Sequence, residues 1–262
     1  MLFQMRCPRP ERIHYVGAFP SSVDLQLDAD RQWRLNLPAP VIRSNLPLQD
    51  DRMNKPAPLS QKKLSFAELE KLSSGGEILE ADGMGPKVWQ LADGLILKIF
   101  RQRRLLSSAT LSPYAIRFIK NAQRLDAYGI PTVRPLQYFS LPGKRTTAVL
   151  YCPLPGDTIA QLVRNGTLDE ATIRELASFI RMLHEKGIYF RSLHVGNIVR
   201  TSDNQLGLID VADMSFRRKP LSRALIKRNF QHFKRQLDPF CKHYKCEFPW
   251  RSLLEAYEAA IR

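Results

Sequence analysis

The sequence predicts an α+β protein of two lobes, a small strand-rich lobe followed by a mainly helical one. Three observations predict it. Between residues 75 and 152, short apolar runs of strand length alternate with glycine turns. At 167–187, "TLDEATIRELASFIRMLHEKG" repeats apolar residues at 168, 173, 176, 177, 180 and 183, the period of a helix with one buried face. Directly after it, "IYFRSLHVGNIVR" and "NQLGLIDVADMSF" read as two apolar strands flanking a turn at Ser202-Asp203-Asn204. Strands gathered first and helices after them make a segregated α+β plan.

Residues 1 to about 60 are rich in proline, as in "CPRPERIHYVGAFP" and "NLPAPVIRSNLPLQ", and hold few periodic runs. They predict a poorly ordered extension ahead of a domain spanning 61–262, with lobes at about 61–152 and 153–262. In "SFAELEKL" Ser65 is a helix N-cap and Glu68, three residues on, its capping-box partner. "EILEADGMGPKVWQLADGLILKIF" reads as strand, glycine turn, strand, hairpin turn at Asp93-Gly94, and strand. In the last of these Ile96, Lys98 and Phe100 share one face and Leu95, Leu97 and Ile99 the other. "SPYAIRFIKNAQRLDAYG" is a helix opened by Ser112 with Pro113 at its first position and closed by Gly129. The segments "IPTVRPLQYFSL" and "KRTTAVLYCPL" are strands, and "PGDTIAQLVRNG" is a short helix. The long helix opens on a Thr167/Glu170 capping box and ends at Gly187, and 220–237 and 249–261 close the chain as basic or amphipathic helices.

Composition sets limits on function. The longest apolar runs fall far short of the ~20 residues a spanning helix needs, and the first residues lack the apolar core of a secretory signal. Four cysteines in 262 residues do not make a disulfide framework. Together these predict a cytoplasmic protein. The net charge of +15 is concentrated in two segments. Residues 99–145 carry nine Lys/Arg against Asp126 alone, and residues 214–245 carry ten against Asp238 alone, so the rest of the chain is close to neutral. Charge gathered in this way fits a polyanionic partner, such as an anionic glycolipid or the inner leaflet of a membrane. A basic surface that merely aids solubility fits each segment equally well. The aromatics are not interleaved with basic residues as a stacking platform requires, which argues against nucleic acid. Cys241, His243 and Cys246 offer three zinc ligands where a structural site takes four.

The chemistry-bearing residues lie in "LILKIF", "LHVGNIV" and "LGLID". With the order of elements, these motifs resemble the protein-kinase-like superfamily, and within it the small bacterial lipopolysaccharide core kinases (Kdo and heptose kinases) and their relatives. The resemblance covers residues 75 to about 240. It implies a two-lobed fold with an antiparallel-sheet lobe and a mainly helical lobe, and an activity using ATP and Mg²⁺ to phosphorylate a sugar hydroxyl. Phosphoryl transfer asks a protein mainly for positioning and charge neutralisation. The resemblance places Lys98 on the nucleotide phosphates and makes Asn197 and Asp210 the metal ligands. Gly83 and Gly85 would let the backbone approach phosphates, with Lys87 adding a contact, although a G-x-G between strands is equally an ordinary hairpin.

Two departures from the family pattern bear on catalysis. Where the catalytic loop carries an aspartate base, this chain has Ser192, in Tyr189-Phe190-Arg191-Ser192-Leu193-His194. Between Asp93 and Asp126 there is no acidic residue, so the helix after Lys98 supplies no glutamate to pair with it; Asn121 and Gln123 could hydrogen-bond the ammonium without neutralising it. Base catalysis is typically worth about 10²- to 10⁴-fold, so a slow enzyme could work without the aspartate. His194 or Asp213 could take the proton instead. The alternative is a pseudokinase that keeps the fold and regulates or scaffolds a partner in envelope synthesis. The acceptor and the oligomeric state have no signature in the sequence.

Overall fold

A computed structural model of the chain describes residues 24–27, 33–36, 59–101, 113–143 and 146–259. Strands β1 (Asp24–Leu27) and β2 (Trp33–Asn36) pair antiparallel, a pairing not anticipated within the proline-rich segment. Most of the 1–60 extension lies outside the described residues, as do Ser112, Arg103, Arg104, Lys144 and Arg145.

The chain divides into two compact units, Met1–Gly129 with Val133–Pro153, and Ile130–Thr132 with Leu154–Arg262. The first contains β3 (Gln61–Lys63), α1 (Phe66–Ser73), β4 (Glu77–Asp82), β5 (Gly85–Gln90), β6 (Ile96–Arg101), α2 (Tyr114–Ala127), β7 (Arg134–Ser140) and β8 (Thr146–Cys152). Six strands form one sheet in the order β3-β7-β8-β6-β5-β4, antiparallel except for the β3–β7 pair. β6 sits inside the sheet and is buried on both faces, so its side chains divide between two cores. Leu95, Leu97 and Ile99 join Leu136, Phe139 and Leu150 in a cluster against which Leu69 and Leu72 of α1 pack. Phe100, on the other face, meets Phe118 of α2 with ring centroids 5.6 Å apart. α1 opens on the expected Ser65/Glu68 capping box. α2 ends at Gly129, which follows the Tyr128 C-cap with φ of 69°.

The second unit contains β9 (Asp157–Thr158), α3 (Ile159–Arg164), α4 (Glu170–Glu185), β10 (Ile188–Phe190), β11 (Ile198–Arg200), β12 (Leu206–Leu208), β13 (Met214–Phe216), α5 (Arg223–Tyr244) and α6 (Trp250–Ala259). Its strands are short and make two small sheets, β12-β11-β9 and β10-β13. The α+β class, with a sheet-rich unit followed by a mainly helical one, is the one the sequence predicts. The N-cap of α4 is a correction. Asp169, not Thr167, accepts the Thr172 N–H at 2.7 Å, and the Thr167 hydroxyl turns back to the Leu162 carbonyl. Asp169 is two positions nearer the first buried turn, and its carboxylate is the better acceptor at a helix N-terminus. α5 also runs past the expected end at 237, through Pro239 to Tyr244. Among the described residues no helix is long and apolar enough to cross a membrane.

Candidate functional site

Lys98 lies on β6 in register with Val88 of β5 and Val149 of β8, and is 6% exposed. An ammonium this deeply buried needs compensation. Part of it is the Phe100 ring, whose centroid lies 5.8 Å from Nζ. On α2, Asn121 and Gln123 are buried polar side chains. The one carboxylate of α2 is Asp126, in its last turn. Burial pushes that carboxyl up to about 6, with the Arg134 guanidinium opposing the rise.

The glycine turn joins β4 to β5 through Gly83 and Met84. Gly85 has φ of 100°, in the region open to glycine, and the Asp82 carboxylate accepts the Met84 N–H at 2.8 Å. Arg101 ties this turn down: its guanidinium reaches the Asp82 carboxylate at 3.1 Å and the Pro86 carbonyl at 2.7 Å. Lys87 is engaged across the hairpin with Glu80 at 2.6 Å. Sequence reasoning missed Arg101, whose partners lie 15 to 19 residues away with no local signature.

In the second unit Ser192, His194, Asn197 and Asp210 come together because β11 and β12 pair antiparallel, Ile198 opposite Leu208. That register puts Asn197 opposite Ile209, and the Ile209 N–H donates to the Asn197 carbonyl at 3.1 Å. Asp210 is then the next residue along the strand from the partner of Asn197. The Asn197 side chain is buried, and its Nδ2 donates to the Ser192 carbonyl at 2.9 Å. The anchored nitrogen leaves Oδ1 as the group that can meet a ligand. Asp210 is exposed and sits in the left-handed region at φ 53°, ψ 44°. A non-glycine residue held there costs of order 1 kcal/mol. Such strain persists only where its surroundings enforce it.

His194 closes the turn between them. Its Nδ1 accepts the Gly196 N–H at 3.1 Å, so the neutral ring carries its proton on Nε2. Burial lowers its pKa first, neighbouring His232 lowers it further, and Asp210 pulls the other way. The ring is therefore a neutral donor whose accepting nitrogen is already used. A Cβ on Gly196 would come 3.1 Å from the His194 ring, close enough that the imidazole would have to shift by a few tenths of an ångström. His232 of α5 lies near, ring centroids 6.4 Å apart. Its Nδ1 faces the Arg235 guanidinium at 2.9 Å. Arg191 pairs with Asp213 at 3.4 Å, and its backbone N–H donates to the Asp213 carbonyl, closing β10 onto β13.

Beneath the loop lies a buried network that the sequence did not reveal. Asn229 donates from Nδ2 to the Phe190 carbonyl at 2.8 Å and accepts from His184 Nε2 at 3.0 Å, while the Tyr257 hydroxyl meets His184 Nδ1 at 2.8 Å. It ties α4, α5 and α6 to β10, the strand that leads into the 191–197 loop.

The donors fit a hard cation. One amide oxygen and one carboxylate, a residue apart across a strand pair, are enough for Mg²⁺, which keeps several waters and takes the rest of its shell from phosphates. Among the described residues no group of three or more His, Cys, Asp or Glu could hold a metal by itself. Gly83, Gly85, Lys87 and Lys98 belong to the first unit, and Ser192, His194, Asn197 and Asp210 to the second.

No protein-family model matches the chain. A solved structure of a bifunctional kinase-methyltransferase, WbdD, is similar with a TM-score of 0.42 and 14% identity, over 66% of this chain and 42% of that one. The chain thus spans less than half the length of that protein, and a likeness so distant carries no argument about either fold or chemistry.

Proposed function

We propose that the protein is a kinase-like enzyme that uses ATP and Mg²⁺ to phosphorylate a sugar hydroxyl of a lipopolysaccharide-core or similar anionic glycolipid. The observation that carries this reading is that the β11–β12 register sets Asn197 opposite Ile209, the neighbour of Asp210, with the Asn197 nitrogen pinned to the Ser192 carbonyl and its oxygen left for a ligand. In this reading Lys98 balances charge on the nucleotide phosphates, and Gly83 and Gly85 keep side chains out of their way. Lys87, already paired with Glu80, contributes only if that exposed pair opens. Asn197 Oδ1 and the Asp210 carboxylate hold the metal, which when bound offsets the charge developing on the transferred group. His194 donates from Nε2. The acceptor oxygen attacks the terminal phosphorus as its bond to the ADP oxygen breaks, and the proton leaves late, as a loose transition state allows. Ser192, with no carboxylate, leaves that proton to solvent.

A second reading, a pseudokinase that binds nucleotide and acts through a partner in envelope synthesis, is favoured by two observations. Ser192 replaces the base, and His194 has its accepting nitrogen occupied and its pKa lowered. One experiment tests both. With the full chain, the melting temperature is measured with and without ATP and Mg²⁺, and ATP consumption with a lipopolysaccharide fraction. Ligand at a hundredfold excess over its dissociation constant stabilises by ~2.7 kcal/mol. A shift with acceptor-dependent turnover, both lost in Asp210→Asn, supports the enzyme. A shift without turnover supports the pseudokinase, and no shift rejects both.

A further inference from the structure

The two basic segments turn out to differ in kind. In the first, Arg101 is spent on Asp82 and the Pro86 carbonyl, and the part-buried Arg134 reaches Cys152 Sγ at 3.3 Å, so a share of that charge is internal wiring. In the second, all ten Lys/Arg are exposed. Six of them belong to α5 (Arg223–Tyr244), a helix about 33 Å long at 1.5 Å per residue. Its buried residues, Asn229, Phe233 and Leu237, recur every fourth position and mark one face. At 100° per residue, Arg228, Arg235 and Lys242, seven apart, fall in one row opposite that face, and Arg223, Lys227 and Lys234 fall in a second row about a quarter turn away, on the flank of the helix. Asp238 is the one acid of that stripe, in an exposed pair with Lys234 at 2.8 Å. Arg235 is partly engaged with His232. The first turn of the helix holds no acid.

The loop that leads into α5 adds Arg217, Arg218 and Lys219, and its backbone is fixed. Arg217 N–H donates to the Gly187 carbonyl at 2.9 Å and Leu221 N–H to the His184 carbonyl at 2.9 Å. A Cβ on Gly187 would sit 2.5 Å from the Arg217 and Lys219 carbonyls, so only glycine lets the loop close there. The cationic loop is thus held by its main chain while its side chains stay in solvent.

We propose that the solvent face of α5, with the 217–219 loop, docks the protein on an anionic lipid bilayer. The surface is dense in charge, and its rows contain no aromatic side chain; the nearest ring, Trp250, is covered by the Lys234 ammonium at 5.7 Å from its centroid. Tyr244, 45% exposed, stands at the far end of the helix. That pattern suits adsorption to a charged plane better than a grip on single-stranded nucleic acid. The two rows themselves are made of charged side chains, so the attachment is electrostatic and salt-sensitive. The surface is independent of phosphoryl transfer; it fixes where the protein works.

The test uses the full chain and vesicles of phosphatidylglycerol and phosphatidylcholine in roughly a one-to-two ratio, with pure phosphatidylcholine as reference. Lys227→Gln with Arg228→Gln is compared with Lys120→Gln with Arg124→Gln on α2, which removes the same charge from the other segment. At about a fivefold loss per basic residue, the α5 pair should weaken partition roughly twentyfold and the α2 pair little. Lys227→Arg should keep binding, which separates charge from fold. Equal losses in both pairs, or wild-type binding to pure phosphatidylcholine, overturn the proposal. So does a duplex DNA fragment that binds as tightly through the same α5 residues. The nucleotide-induced melting shift is read on the same variants, and its presence or absence bears on the kinase reading alone.

Discussion

Replacing Asn229 by leucine tests the network beneath the loop. Leucine has nearly the same volume and no polar atoms, so it removes two hydrogen bonds without opening a cavity. Asn229 is 1% exposed and His184 2% exposed, so water cannot replace what is lost. The His184 Nε2–H is left buried without a partner, at about 1 to 3 kcal/mol, while the Phe190 carbonyl keeps only the longer bond from the Leu193 N–H at 3.2 Å. With about 1 kcal/mol more for the bond lost at Phe190, the cost is about 2 to 4 kcal/mol, a large share of the 5 to 15 kcal/mol that holds a typical domain together. The measurement is equilibrium urea unfolding at pH 7, read as a shift in midpoint at unchanged slope. Because Phe190 opens the loop that ends in Asn197, the melting response to ATP and Mg²⁺ should fall as well. Adding His184→Leu to Asn229→Leu should cost less than the two single changes together, since one partner is then gone for both. A loss below about 1 kcal/mol, or strict additivity, would refute the network as the support of the loop.

Three further outcomes follow from the same geometry. Asp126→Asn should stabilise the protein at pH 7 and much less at pH 4. The folded carboxyl is raised to about 6, so the folded state holds the proton more tightly; that advantage is complete below the unfolded value of about 3.8 and lost as pH rises through 6, which puts the cost of the charge at about 1 to 2 kcal/mol at neutral pH after allowing for partial exposure. Unfolding curves at the two pH values check it. Asp210→Gly should relieve the left-handed backbone and raise stability by about 0.5 to 1 kcal/mol while abolishing any response to Mg²⁺; a loss of stability would show that the strain is not there. Ser192→Asp should raise acceptor-dependent ATP turnover by about 10²-fold or more if base catalysis is what the loop lacks, measured as initial rates with the lipopolysaccharide fraction.

What could be read in the sequence was local and repetitive. The α1 capping box, the β4–β5–β6 hairpins and the periodic α4 each repeat a signal over enough residues to be seen, and the β11–β12 turn is marked by Asp203-Asn204. The division of β6 into two faces was legible for the same reason; the burial of Lys98 depends on what covers that face and was not. What escaped was carried by pairs of distant positions. β3 is three residues long and pairs with β7 through Gln61 opposite Tyr138, a contact that no period reports. β10 and β13 are equally short and meet only because the loop between them folds back. The helix expected over 220–237 continues in α5 past that end, with Pro239 on an exposed turn where a missing N–H is tolerated. In the candidate site Asn197 and Asp210 were singled out by the resemblance that "LHVGNIV" and "LGLID" carry. The occupation of His194 Nδ1 by Gly196 and of Lys87 by Glu80 depends on rotamers, and sequence alone does not fix those.

The bond from Asn197 Nδ2 to residue 192 lands on a carbonyl, an atom that every amino acid possesses. The loop therefore keeps its shape whatever side chain stands at 192, and form and reactivity are assigned to different atoms of one residue. A lineage can exchange a carboxylate for a hydroxyl there, or reverse the exchange, by a single codon change that the architecture does not register. Position 192 is in this sense an interchangeable tool in a fixed holder.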